Sequence, residues 1–224
     1  LVATSGEGTE KGNAIANTIS TLMQTGQKDV AVKLAEEIAP TTSQTVLGVA
    51  EGINSVLSNV AGTRMAAVGR NGGDTFVGGA VWAQGLMNHT KQNSTDSNAG
   101  FSANTNGVSL GVDGKITNSL MIGIGYGYTN TKADSGSRDI DVDGHNIFAY
   151  TEYKPNDWYI NGMFSYGINK YDEHKLANLG AKYDVNTYAA NVMTGYDFDS
   201  GITPEIGLRY LLADQKSYND GMQN

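Results

Sequence analysis

The sequence predicts a mainly β fold: an antiparallel up-and-down transmembrane β-barrel, preceded by an α-helix that threads its pore. Three observations carry this expectation. Beyond about residue 70, seven stretches alternate apolar and polar residues with a period of two. The connections between those stretches alternate short and long, as the turns and loops of membrane barrels do. Ahead of them, residues 41–70 form a helical pattern that is long enough to cross a bilayer but too polar to touch lipid.

In chain order, residues 1–9 are rich in Gly, Ser and Thr and read as linker. Lys11–Met23 and Asp29–Ala39 show helical spacing, the second with Val30, Leu34 and Ile38 four apart and Pro40 ending it. Residues 1–40 are therefore expected to be a linker with short helices. Thr41 and Gln44 have the spacing of a capping box. From there Val46, Val49, Ala50, Ile53, Val56, Leu57, Val60 and Ala61 fall on one stripe. Thr45, Gly48, Glu51, Gly52, Asn54, Ser55, Ser58 and Asn59 are expected on the opposite, small polar face. Carried to about Val68, the rod measures roughly 40 Å at 1.5 Å per residue. A hydrocarbon core is roughly 30 Å thick, so such a rod crosses it only inside something else.

Asn71-Gly72-Gly73-Asp74 breaks the helix, and residues 71–224 carry the strands. These are expected at Thr75–Gln84, Asn104–Ile116, Ser119–Lys132, Asp143–Lys154, about 158–169, Tyr183–Phe198 and Ile202–Leu212. In the third, Leu120, Ile122, Ile124, Tyr126 and Tyr128 oppose Met121, Gly123, Gly125, Gly127 and Thr129. Tight turns are expected at Thr117-Asn118, Pro155-Asn156-Asp157 and Asp199-Ser200-Gly201. Long polar loops are expected at Asn88–Ala103, Ala133–Val142 and Asp172–Lys182. Tyr153, Trp158 and Phe198 flank the short turns, where an aromatic girdle belongs. The second face of the strands is glycine-rich and lightly charged, which suits a narrow lumen better than the outside of a soluble sandwich.

Composition narrows the function classes. Cysteine is absent, which excludes disulfides and thiolate metal sites. A net charge of -8 argues against nucleic acid as a partner. No apolar run is long enough for a transmembrane helix, which leaves strands as the means of crossing. His89, His145 and His174 are expected in or beside the loops, far apart in sequence. Asp134, Asp139, Asp141 and Asp143 are expected to share one loop without the spacing of a calcium-binding hand. No Gly-x-Ser-x-Gly elbow occurs. No cofactor, metal or catalytic residue is expected. Alternation instead turns Glu152, Asn191, Asp197, Glu205 and Arg209 inward, and with Asn54 and Asn59 of the helix they are the expected pore-lining residues.

Several segments together resemble the translocator (β) domain of autotransporters, the type V secretion proteins of Gram-negative bacteria. These are Ile38-Ala-Pro-Thr-Thr-Ser-Gln44, the helix through Asn54 and Asn59 to Arg64, Val81-Trp-Ala-Gln-Gly85, Gly123-Ile-Gly-Tyr-Gly-Tyr128, Trp158-Tyr-Ile-Asn-Gly162 and Pro204-Glu-Ile-Gly-Leu-Arg-Tyr210. The resemblance rests on their order over roughly residues 35–215. It implies a barrel of about twelve strands in the outer membrane. It also implies export of an N-terminal passenger, with the barrel-assembly machinery, membrane lipid and the chain's own passenger as partners. Against that pattern the chain is expected to be incomplete, about seven strands of twelve, and cut off at its C-terminus. The rival readings are a porin-like channel with no threading helix, and a surface adhesin whose loops bind a ligand.

Overall fold

The structure is a computed structural model that describes residues 10–38, 43–70, 79–93, 100–135, 138–174 and 180–216. The linker at residues 1–9, the capping Thr41 and the Asn71–Asp74 break lie outside the described residues. Three helices come first: α1 Glu10–Gln24, α2 Lys28–Ile38 and α3 Ser43–Met65, the last running into a π-helical turn, Ala66–Arg70. Gly26, between α1 and α2, has φ 79°, a conformation that only glycine adopts without strain.

Seven strands follow: β1 Ala80–Gln92, β2 Phe101–Thr117, β3 Leu120–Ser135, β4 Arg138–Tyr153, β5 Trp158–His174, β6 Gly180–Tyr196 and β7 Glu205–Gln215. They form one antiparallel meander in sequence order, β1 to β7. Among the described residues β1 and β7 are its edges. α3 touches all seven strands, so the sheet curls around the helix as a trough.

The expected alternation sets the two faces of this sheet. Ile122, Ile124, Tyr126 and Tyr128 on β3 point away from α3, and so do Ile147 on β4, Phe164 on β5 and Leu208 on β7. Met121, Thr129 and Thr131 of β3 and Phe148, Tyr150 and Glu152 of β4 are buried on the concave face. Rings from one strand lie over glycines of the next, Phe148 over Gly125 and Tyr150 over Gly123, so β3 and β4 pack closely on the concave side. At the short-turn end the expected girdle is present: Tyr153 meets Trp158 edge to face at 6.3 Å, and Tyr196 meets Phe198 at 4.7 Å.

The strand ends correct the expected loops. Most of the stretches expected as long loops are strand: β1 runs on to Gln92, β3 to Ser135, β4 starts at Arg138, β5 reaches His174 and β6 starts at Gly180. A strand of 17 residues spans roughly 55 Å, well beyond a hydrocarbon core even when tilted. Past the apolar belt the outward face turns polar while the inner face stays buried, with Ala133, Ile140, Val142 and Val185 in the core, so the ladder continues after its outward apolar row has ended. Consequently Asp134 sits on β3, Asp139, Asp141, Asp143 and His145 on β4, and His89 and His174 on β1 and β5. β7 begins at Glu205 rather than Ile202, because Pro204 has no N–H to give to the ladder; its carbonyl accepts from the Tyr196 amide.

Candidate functional site: the helix in the trough

α3 carries only two charged residues, Glu51 and Arg64. Its apolar stripe, Val46 through Ala61, is buried against the concave face. Part of the polar face is buried as well. Thr45, Gly52 and Asn54 pack on the wall, whereas Glu51 and Asn59 are exposed and Ser55 and Ser58 half-buried. A helix lying in a trough is covered around more of its circumference than one lying on a flat sheet, so the boundary of burial falls inside the polar stripe.

The helix crosses the trough from end to end. Near its start, the Tyr171 hydroxyl donates to the Val46 carbonyl at 3.4 Å, and Tyr171 stacks on Tyr183 at 5.1 Å. Tyr171 lies three residues before the end of β5, at the long-loop end of the sheet. Gly48 faces the Phe101 ring so closely that a Cβ would overlap it, and Gly52 nestles against Asn88 and Thr90. Halfway along, Ser165 Oγ donates to Asn54 Oδ1 at 3.4 Å, and Asn191 Nδ2 donates to Ser58 Oγ at 2.6 Å. Gly48→Val is expected to destabilise the docked helix by about 1–3 kcal/mol through overpacking. Phe101→Ala in the same chain should recover most of that loss, with denaturant midpoints as the readout.

At the far end stands a clamp that the alternation pattern did not reveal. Arg64 donates from Nε to Asp113 Oδ2 at 2.7 Å and from Nη2 to Asp113 Oδ1 at 2.8 Å, while the Tyr150 hydroxyl donates to Oδ2 at 2.6 Å. The Asp113 side chain is wholly buried, and that of Arg64 is 21% exposed. The guanidinium also lies 5.8 Å from the Trp82 ring, and Trp82 in turn leans on Phe148 and Tyr150. Asp113 is four residues before the end of β2, at the short-turn end. The only available signal was an inward aspartate near a strand end together with a lone arginine in the last turn of a nearly uncharged helix.

The expected pore-lining residues separate into groups. Asn54 is buried on the wall and Glu152 is buried inside β4. Asn59, Asn191 and Arg209 line a space of about 680 Å³ between the second half of α3 and β5–β7, together with Ser58 and Asn161. Arg209 Nη1 lies 3.8 Å from Glu51 Oε1, so the second charge of α3 also reaches the wall. Glu205 accepts from the Tyr159 hydroxyl. Asp197 is not on a strand. It follows β6 in the turn, where it pairs with Lys154 at 2.5 Å and accepts from Thr203 at 2.8 Å. The two ends of the sheet's short turns meet there, which strand alternation does not anticipate. No cluster of three or more metal-ligating side chains occurs among the described residues.

The chain is similar to known proteins. A family model described as autotransporter β-domain matches residues 81–222. Outer membrane protein B of Rickettsia prowazekii is 27% identical over 190 residues, which covers 75% of this chain and 11% of that protein. Outer membrane protein A of Rickettsia conorii is 22% identical over 169 residues, covering 62% of this chain and 8% of the relative. The chain thus spans only a small share of these relatives' length. Among solved structures, the translocator domain of autotransporter NalP from Neisseria meningitidis superposes with a TM-score of 0.57 at 21% identity, over 74% of this chain and 61% of that one. That likeness is one of fold. With the curled antiparallel wall and its outward apolar belt, the family match makes this an outer-membrane β-domain: the chain belongs to the autotransporter β-domain family.

Proposed function

We propose that this chain anchors in the outer membrane and enables an N-terminal passenger to reach the cell surface, itself catalysing no reaction. Residues 1–40 then lead in from the passenger, 41–70 thread the lumen and 71–224 supply the wall. One observation carries the reading: α3 runs from the long-loop end, at Tyr171, to the short-turn end, at Asp113. In outer-membrane barrels the longer excursions face outward and the short turns face the periplasm; here β3 and β4 run on past the belt at the Tyr171 end, through Asn130–Ser135 and Arg138–Asp143, and turn at once at the other. Whatever precedes α3 therefore emerges on the outer side, while β1 starts again from the periplasmic side. A chain that had crossed the lumen and stopped would lie this way.

Membrane lipid covers the apolar belt under this reading, and the barrel-assembly machinery inserts the strands. Asn54, Asn59, Glu152, Asn191, Asp197, Glu205 and Arg209 serve as lumenal or mouth contacts that hold shape. A porin-like channel accounts less well for a helix laid against every strand. The test is an epitope placed ahead of α1 in cells that make the complete protein. Antibody should label it on intact cells, and external protease should remove it while α3 and the wall stay protected. Labelling that appears only after the outer membrane is permeabilised would overturn the reading.

A further inference from the structure

The lipid-facing side of the wall is not uniformly covered by side chains. Three successive rows cross the strands at the level of the clamp. Asp113, Gly123, Tyr150, Met163 and Asn191 are mutual partners from β2 to β6, and all belong to the concave-facing set. On one side of this row, Val112, Ile124, Ala149 and Phe164 point outward; on the other, Gly114, Ile122, Thr151, Gly162 and Val192 do. Between the two outward rows only backbone is exposed, and this forms the floor of a groove. Gly114, Ala149 and Gly162 fail to fill it, while Ile122, Ile124, Phe164 and Val192 wall it. Its volume is about 790 Å³, and its lining is predominantly apolar.

We propose that this groove holds one acyl chain of a phospholipid from the leaflet at the short-turn end, as a seated lipid rather than bulk solvent. This rests on the outer-membrane reading above. Three features favour that occupant over a partner protein. The groove is continuous with the exposed belt of Ile, Val, Phe and Tyr that lipid covers. Along β3 to β6 no charged side chain lines it, and the one cation of its lining, Lys115, stands at its β2 end, which suits a slim apolar group along its length. It also lies two to six residues from the girdle of Tyr153, Trp158 and Tyr196, close to the depth at which an acyl chain leaves its headgroup. Crossing the strands, which tilt by roughly 35–45° in such barrels, the groove runs obliquely through the leaflet.

The groove can be filled without disturbing the wall. A Cβ on Gly162 meets nothing closer than Thr151 Cγ2 at 3.5 Å, an ordinary contact. Gly162→Leu and Ala149→Leu therefore occupy the space while keeping the face apolar. The experiment takes the complete protein assembled in outer membrane and moved into nanodiscs of phosphatidylethanolamine and phosphatidylglycerol, then released for native mass spectrometry. The unaltered protein should retain a single phospholipid, and each filled variant should lose it while its heat-modifiable mobility on gels stays the same. Equal retention by unaltered and filled protein, or retention of detergent alone, would overturn the groove. Because the chain lacks cysteine, Tyr188→Cys gives a clean nitroxide site on the belt away from the groove. Spin relaxation there by oxygen but not by a water-soluble nickel complex keeps the outer-membrane reading standing whatever the groove does. The reverse pattern would remove both.

Discussion

Arg64→Ala is expected to release the short-turn end of α3 and to cost about 3–5 kcal/mol, the penalty for removing one partner of a buried ion pair. The substitution leaves the Asp113 carboxylate, whose side chain has no exposure, with only the Tyr150 hydroxyl to satisfy it. Arg64 also stands in the last turn of the helix, where a cation interacts favourably with the macrodipole, by about 0.3–1 kcal/mol. Asp113→Asn in the same chain should recover part of the loss, because a neutral amide no longer needs the guanidinium. Arg64→Lys should recover less than a full exchange of charges suggests, since an ammonium cannot reproduce two parallel donors to one carboxylate. Two readouts separate helix release from general unfolding. Protease should reach 66–70 in the Arg64→Ala protein, and planar-bilayer conductance should rise, while the strand content measured by circular dichroism stays constant. An unchanged conductance with normal protease protection would show that the clamp does not hold the helix.

The reason this clamp could not be read in advance also explains which parts of the fold could. Arg64 and Asp113 are 49 residues apart, and neither stands out by periodicity. What pairs them is the length of α3 set against the height of the wall, a quantity that exists only after the strands are registered. The outward face, by contrast, was legible in the alternation of β2, β3, β5, β6 and β7, and less clearly in β4. Lipid favours apolar groups at every second position, so sequence and environment impose the same period there. Legibility failed where that demand stops. Asn130, Lys132 and Asp134 make the outward face of β3 polar above Tyr128 while Thr129, Thr131 and Ala133 stay buried, and an inner row of Thr and Ala gives too little hydropathy contrast to be told from a loop. Asp197 failed for a different reason: its place depends on Lys154, contributed by a turn 43 residues earlier. The buried stripe of α3 keeps the phase of its apolar residues but is wider, because Thr45, Gly52 and Asn54 are buried by curvature of the wall rather than by their own hydrophobicity.

Ile124→Arg is expected to destabilise the assembled wall by about 2–4 kcal/mol, the cost of a cation near the bilayer midplane on a barrel's lipid face. Ile124 is 57% exposed and lies between Val112 and Ala149 in the middle of the outward belt. The same substitution at Asn130, three outward positions further along β3 and beyond Tyr128, should cost only about 0–1 kcal/mol, as charges near the interface do. The contrast has a sign that water cannot imitate. On a soluble sheet, exchanging an exposed isoleucine for arginine removes apolar surface from solvent and is neutral or favourable, so both variants would then behave alike. Reversible guanidinium unfolding of the complete protein from phospholipid vesicles measures the difference. A large loss at Ile124 with little at Asn130 fixes the depth of the belt along β3. Equal small effects would mean that something other than lipid covers this face. The comparison also sets where the membrane ends on a strand of 16 residues, which hydropathy along the sequence places only at Tyr128.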